Sequence, residues 1–208
     1  MNAKKFIFAT NNPGKLREAL EILGPGFELA TPASVGITED IPETGLTLAE
    51  NSLQKASYVW DRCGLPCFAD DSGLEVDMLG GEPGVHTARY GGKPHDSDAN
   101  IDRLLREMAA REEAAAAGPS PSPARTARFH TVVTLILEDG IPRQFEGFMD
   151  GAIARERHGS GGFGYDPVFR PAESGGVLTA AELPEDEKNA ISHRGKALRA
   201  MAQWLKKR

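Results

Sequence analysis

Cysteine is nearly missing from this chain: Cys63 and Cys67 are the only two in 208 residues. Two thiols cannot build a disulfide scaffold. A zinc site at their C-x3-C spacing would need two further ligands, and the five His are scattered rather than gathered near the pair. We read them as two reduced thiols flanking a turn in a cytoplasmic protein. Basic charge is also in deficit, with 24 Lys and Arg against 30 Asp and Glu and a net charge of −6. That argues against sequence-independent binding to nucleic acid or to an acidic membrane, both of which need a broad basic surface. Any anion must be held by a few locally placed Lys and Arg. Long apolar runs are missing too. None approaches the ~18 residues of a membrane span, and the opening MNAKKFIFAT lacks the apolar stretch of a signal peptide.

What is present is an ordinary globular composition, 40% hydrophobic and 26% charged. The length suits one large domain or two small lobes around a shared core. Residues 5–9 read as a buried strand. Asn12 is a good N-cap and Pro13 suits the first helical position, after which Leu16, Leu20 and Leu23 share one helical face until Gly24-Pro25-Gly26. Residues 27–30 form a short strand candidate. Thr47 and Glu50 make a capping-box pattern for a helix carrying Leu48, Ala49, Leu53, Ala56 and Trp60. Residues 66–69 and 74–78 read as strands on either side of a DDSG turn, and 96–110 as a helix. The 111–128 stretch is an Ala- and Pro-rich surface excursion rather than a domain boundary, because strand patterns resume at once. A hairpin is expected from 129–137 and 143–149, and an amphipathic helix from Ser192 onward. Strands and helices mix in both orders, which predicts an α/β fold with a mixed sheet.

Five stretches carry chemistry. In TNNPGK, residues 10–15, a strand feeds a helix N-terminus, where free N–H groups and the dipole favour an anion; Thr10, Asn11, Asn12 and Lys15 add donors. The plainer reading is a capped helix with a surface Lys. In ADDSGL, residues 69–74, Asp70 and Asp71 are adjacent on a strand, so they point to opposite faces. One would face the site, to hold Mg²⁺ or take a proton from water, while the other supports the turn. Solvated acids in an Asx-turn are the competing account. Glu43, before a Thr-Gly turn, is a second oxygen ligand for a metal or a surface acid. In GSGGFGYD, residues 159–166, the spacing matches G-x-G-x-x-G, but Tyr-Asp-Pro-Val-Phe follows and cannot open the helix a dinucleotide fold needs. The loop suits a backbone approaching a ligand, with Phe163 offering a face to a base or else lying in the core. Finally, Lys188, His193 and Arg194 put positive charge around a helix N-terminus, against the dipole.

Together these stretches resemble the inosine triphosphate pyrophosphatase family, also called Ham1-like. The matching motifs are TNNPGK (10–15), ETGLT (43–47), ENSLQKA (50–56), ADDSGLEVDMLGGEPGVHTARY (69–90), GGFGYDPVF (161–169) and EKNAISHRGKAL (187–198), in family order. The resemblance implies hydrolysis of deaminated purine nucleoside triphosphates (ITP, dITP, XTP) to the monophosphate and pyrophosphate, with Mg²⁺ or Mn²⁺ in its place. It implies a single domain over residues 1–208, with an elongated central mixed sheet and two lobes of helices around a substrate cleft. A cytoplasmic homodimer is the expected assembly, with a nucleotide and neither nucleic acid nor membrane as its partner. It also implies roles. Residues 10–15, including Pro13 and Gly14, would hold the triphosphate with Lys15 and Lys55. Glu43 and Asp71 would position the metal, Asp71 would accept a proton from the attacking water, and Asp70 would assist. Ser72 would contact phosphate, with Arg89 as a further phosphate contact. Phe163 would stack on the base, with Gly164, Tyr165, Asp166, Lys188 and His193 along its edge and Arg194 donating to a 6-oxygen.

Three rivals make distinct demands. A nicotinamide oxidoreductase built on the 159–164 glycines predicts cofactor binding without a metal. A nucleotide sensor of the same fold has no need of Glu43, Asp70 and Asp71 together. A Maf-type pyrophosphatase keeps the chemistry and changes the substrate; the His193-Arg194 pair and the FGYD run favour a purine.

Overall fold

The structure, a computed structural model, describes residues 4–117 and 124–208. Among the described residues seven strands form one sheet: β1 (Lys4–Phe8), β2 (Phe27–Ala30), β3 (Cys67–Val76), β4 (Pro83–Gly84), β5 (Thr126–Ile136), β6 (Pro142–Ile153) and β7 (Phe169–Pro171). Their order is β2-β1-β3-β5-β6-β7, with β4 paired to β3. β1 runs parallel to β2 and β3, whereas β4 is antiparallel to β3 and β7 to β6, so the sheet is mixed. Five α-helices among the described residues accompany it: α1 (Pro13–Leu23), α2 (Leu48–Cys63), α3 (Ser97–Ala116), α4 (Glu185–Ile191) and α5 (His193–Lys206).

The chain divides into two compact units. The first comprises Met1–Ser72, Thr131–Gly147 and Ser192–Arg208; the second comprises Gly73–His130 and Phe148–Ile191. In the first unit the two faces of the sheet follow the strand period of two. Phe6, Phe8, Phe68, Val133 and Leu135 pack with Ala19 of α1 and with Ala197, Leu198 and Met201 of α5. The alternate residues Ile7, Ala9, Cys67, Ala69 and Ile136 pack instead with Ala56 and Val59 of α2. Burying each large side chain contributes about 1.5–3 kcal/mol. In the second unit Leu74, Val76, Met149, Ile153 and Phe169 form a core with Ile101, Leu104 and Met108 of α3.

Local signals set several boundaries. Asn12 caps α1, its side chain accepting from Gly14 N and Lys15 N. Thr47 and Glu50 form the reciprocal capping box of α2. Ser192 caps α5 by accepting from Gly195 N. Three expectations change. The DDSG stretch is not a turn: β3 runs unbroken through it, a strand that pairs with β1 at Cys67 and Phe68, with β4 at Leu74 and Glu75, and with β5 in the sheet order. Sheet neighbours satisfy backbone groups there that a turn would leave to water. α3 extends to Ala116 and β5 begins at Thr126, so half of the 111–128 stretch, its two ends, is regular structure; its 118–123 tip lies outside the described residues. α4, a seven-residue helix, was not anticipated from the sequence.

Candidate active site

In the first unit, charged side chains gather around the middle of β3. Asp70 is 1% exposed. Its Oδ1 accepts from Lys15 Nζ at 3.1 Å and its Oδ2 from Arg194 Nε at 2.9 Å. Arg194, at the start of α5 and 3% exposed, also donates through Nη1 to Glu18 of α1. Phe68 and Asp70 thus share the face that α1 and α5 cover. Asp71 points the other way. Its Oδ1 accepts from Lys55 Nζ of α2 at 3.0 Å, and Lys55 also donates to Glu43 Oε1 at 2.6 Å. The next residue, Ser72, lies 2.7 Å from Thr131 Oγ1 of β5, and Thr131 also bonds His193 Nδ1 of α5.

The electrostatics of the two carboxylates differ. Burial alone would raise Asp70, but Lys15, Arg194 and Lys55 outweigh it and hold this carboxyl well below its ordinary range. Burial also raises Asp71, with Lys55 pulling down and Glu43 pushing up, and here the balance stays upward. Lys15 is lowered, chiefly by burial, with Arg194 and Lys55 adding and Asp70 opposing. Lys55 is raised: burial works against it, but Asp71, Asp70 and Glu43 prevail. Arg194 is likewise raised against the cost of burial, by Asp70 and Glu18.

The capped helix start uses up part of the expected anion cradle. Gly14 N and Lys15 N donate to Asn12 Oδ1 at 2.8 and 3.2 Å, and Asn12 N donates to Thr10 Oγ1 at 3.1 Å. Pro13 has no donor. In this stretch Lys15 Nζ therefore carries the charge for an anion, with Asn11 exposed beside it.

The second unit holds the glycine-rich loop. Phe163 is 63% exposed, which removes the core reading of this side chain. Lys188 Nζ of α4 lies 4.8 Å from its ring centroid. Asp166 clips the loop, accepting from Phe163 N at 2.7 Å and from Lys188 Nζ. Gly162 is required here: its φ is +74°, and a Cβ would stand 2.2 Å from Asp166 Oδ2. Gly164 also has positive φ. The loop leads through turns into β7 and not into a helix, as the sequence required for rejecting a dinucleotide fold. Two further residues of the expected set also lie in the second unit. Tyr165 is 3% exposed and its hydroxyl donates to Thr87 O at 3.0 Å, with burial pushing the phenol up, so it braces the loop from inside. Arg89 is exposed on a short 3-10 turn beside His86, Tyr90 and Arg103, where these residues line a cavity of about 240 Å³. The sequence run 188–194 is itself divided between the units, Lys188 in the second, His193 and Arg194 in the first.

Sequence reasoning missed Glu18 and Thr131. Neither lies in a motif, and each is joined to its partner across 176 and 62 residues respectively. It also missed Gly147, whose Cβ would fall 2.1 Å from His193 O and 2.6 Å from Ala197 N; only glycine lets β6 meet the first turn of α5.

Glu43 and Asp71 converge on a single ammonium. Two carboxylates on one cation are the donor set that Mg²⁺ takes when substrate phosphates and water complete its shell. Among the described residues no group of three or more His, Cys, Asp or Glu gathers as a ready ligand cage. The residues therefore fit an ion that arrives with its phosphates.

A model of the Ham1 family matches residues 6–204. A dITP/XTP pyrophosphatase of Porphyromonas gingivalis is 50% identical over 202 residues, covering 97% of each chain. One from Christiangramia forsetii is 43% identical over 203 residues, covering 98% of this chain and all of its own. The solved structure of a HAM1 protein from Coxiella burnetii superposes with a TM-score of 0.86 at 36% identity, covering 99% of this chain and 100% of its own.

Proposed function

We propose, from the premise that the chain belongs to the Ham1 family, that it hydrolyses deaminated purine nucleoside triphosphates to the monophosphate and pyrophosphate. The relatives named as dITP/XTP pyrophosphatases supply the substrate class, namely dITP and XTP, and ITP as the ribose counterpart. One observation carries the chemistry: at β3 the cations Lys15, Lys55 and Arg194 alternate with the carboxylates Glu18, Asp70, Asp71 and Glu43. Three cations against four carboxylates leave this cluster formally negative. A polyphosphate enters such a site only with a divalent cation, which supports a Mg²⁺ requirement.

Glu43 and Asp71 would hold the metal, which when bound neutralises phosphate charge and makes water more acidic. Asp71 accepts the proton of the attacking water as the α–β phosphoanhydride opens. A carboxyl raised by burial is a better base than a depressed one. Asp70, with both oxygens engaged by Lys15 and Arg194, acts as their counter-ion and not as an open ligand. Lys15, Lys55 and Ser72 take phosphate oxygens. Arg194 is committed through Nε and Nη1 to Asp70 and Glu18, so we move it from base contact to holding Asp70 in place. His193 remains at the base edge, and Phe163 offers the stacking face, with Lys188 and Asp166 fixing its loop. We extend the reading to a homodimer in the cytoplasm, where the free thiols of Cys63 and Cys67 suit a reducing compartment.

The test is pyrophosphate release from dITP, XTP and ITP against ATP and GTP, with Mg²⁺ and with EDTA. Metal-dependent release from the deaminated substrates, far above ATP, is the expected result. Equal turnover of all five would remove the substrate class, and turnover in EDTA would remove the metal.

A further inference from the structure

Thr131 is fully buried, yet its hydroxyl bridges two residues of the proposed site. Its Oγ1 lies 2.7 Å from Ser72 Oγ on one side and bonds His193 Nδ1 on the other. Three side chains from β3, β5 and α5 thus form one chain of hydrogen bonds. A hydroxyl has one proton to donate. With His193 neutral, Thr131 can therefore donate to only one neighbour and must accept from the other, and two proton arrangements exist. In the first, Ser72 donates to Thr131 and Thr131 donates to an unprotonated Nδ1, so the neutral ring carries its proton on Nε2. In the second, His193 Nδ1–H donates to Thr131, Thr131 donates to Ser72, and the Ser72 proton is released to an acceptor outside the chain.

A phosphate oxygen only accepts, so phosphate at Ser72 selects the second arrangement. We propose that Thr131 is a positioning residue that couples phosphate contact at Ser72 to the tautomer of His193, and so to the choice of purine. This rests on the reading of Ser72 as a phosphate contact and of His193 as a base-edge contact. With Nδ1 carrying the proton, Nε2 of the neutral ring is an acceptor. Hypoxanthine and xanthine present an N1–H donor, whereas adenine N1 is itself an acceptor. A triphosphate in place thus sets His193 to accept from a 6-oxo purine and to repel adenine.

The test uses whole protein labelled with ¹⁵N in its histidines, the His193 signal being assigned by His193→Gln, and inorganic tripolyphosphate with Mg²⁺ as the probe. Tripolyphosphate should move His193 toward the Nδ1–H tautomer in the wild type and in Thr131→Ser, and leave it unmoved in Thr131→Val. Ser72→Ala breaks the same chain at its other end and should also silence the response. In kinetics, Thr131→Val should narrow the ITP-over-ATP ratio of kcat/KM by about tenfold or more, the scale of one lost discriminating hydrogen bond, and Thr131→Ser should restore it. No tautomer response in the wild type, an undiminished response in Thr131→Val, or an unchanged ratio would each overturn the proposal. Wild-type protein that turns over ITP no faster than ATP would instead overturn the functional reading. The tripolyphosphate response contains no purine and judges the relay separately.

Discussion

Asp70 and Asp71 are neighbours on one strand, yet the two sides of β3 treat them in opposite ways. On the side of α1 and α5, Asp70 is enclosed by Lys15 and Arg194, each of its oxygens has a cation, and its carboxyl is held low. On the side of α2, Asp71 shares one ammonium with Glu43 and its carboxyl is raised. A carboxylate with both oxygens matched by buried cations is a fixed charge that organises its surroundings. One that shares a single cation with a second carboxylate keeps capacity for a metal or a proton. The alternation of a strand alone thus gives two adjacent carboxyls opposite surroundings.

The largest break in this comparison comes from Asp71→Asn. It should lower turnover of ITP by about 10²–10⁴-fold, the usual contribution of a general base, with the urea midpoint close to wild type. Turnover within a few-fold of wild type would assign the base elsewhere. Asp70→Asn should do the reverse, acting first on stability. It leaves Lys15 and Arg194 without their shared counter-charge, a loss of about 3–5 kcal/mol for a broken buried pair, read in equilibrium denaturation. The pH dependence sharpens this. Because the folded Asp70 is depressed, its stabilisation is present above the unfolded carboxyl value of about 3.9 and is lost as pH falls through and below it. Wild type should therefore lose stability more steeply than Asp70→Asn on acidification below about pH 4. Parallel curves for the two proteins would contradict the assignment.

Gly147→Ala probes the same side less severely. Its new Cβ would meet His193 O and Ala197 N and push the first turn of α5, which carries Arg194, off the sheet. Overpacking of this kind costs about 1–3 kcal/mol, and a midpoint equal to wild type would mean that α5 shifts freely. The smallest effect belongs to Cys67, on the Asp71 face of β3. Burial, with Cys63 adding, pushes its thiol up to about 12, so it stays protonated at pH 8. Iodoacetamide at that pH should label Cys63 in the folded protein and reach Cys67 only on unfolding, which mass spectrometry resolves. Equal labelling rates would show that this face is not dry.

Much of this was legible locally. The Asn12 and Thr47 caps, the strand at 27–30 and the breaker at Gly24 are decided within four residues of sequence, where hydrogen-bonding groups are in reach whatever the rest of the chain does. The opposite pointing of Asp70 and Asp71 also follows from residue order, once they are on a strand. The DDSG reading failed because Ser and Gly favour a turn in isolation, whereas here they lie inside a strand that pairs with β1 before them and with β4 after them. Tyr165 and Arg194 were read by motif as contacts for a ligand; their burial could not be seen without the packing around them.

The sequence by itself determined which residues could carry charge, where helices start, and that carboxylates and lysines recur in a family order. Only the tertiary structure decided which charges meet. Arg194 reaches Asp70 across 124 residues and Thr131 joins Ser72 to His193 across elements that share no local pattern. Coulombic and hydrogen-bond energies depend on distances of a few ångströms and on exclusion of water, and neither is encoded in separation along the chain.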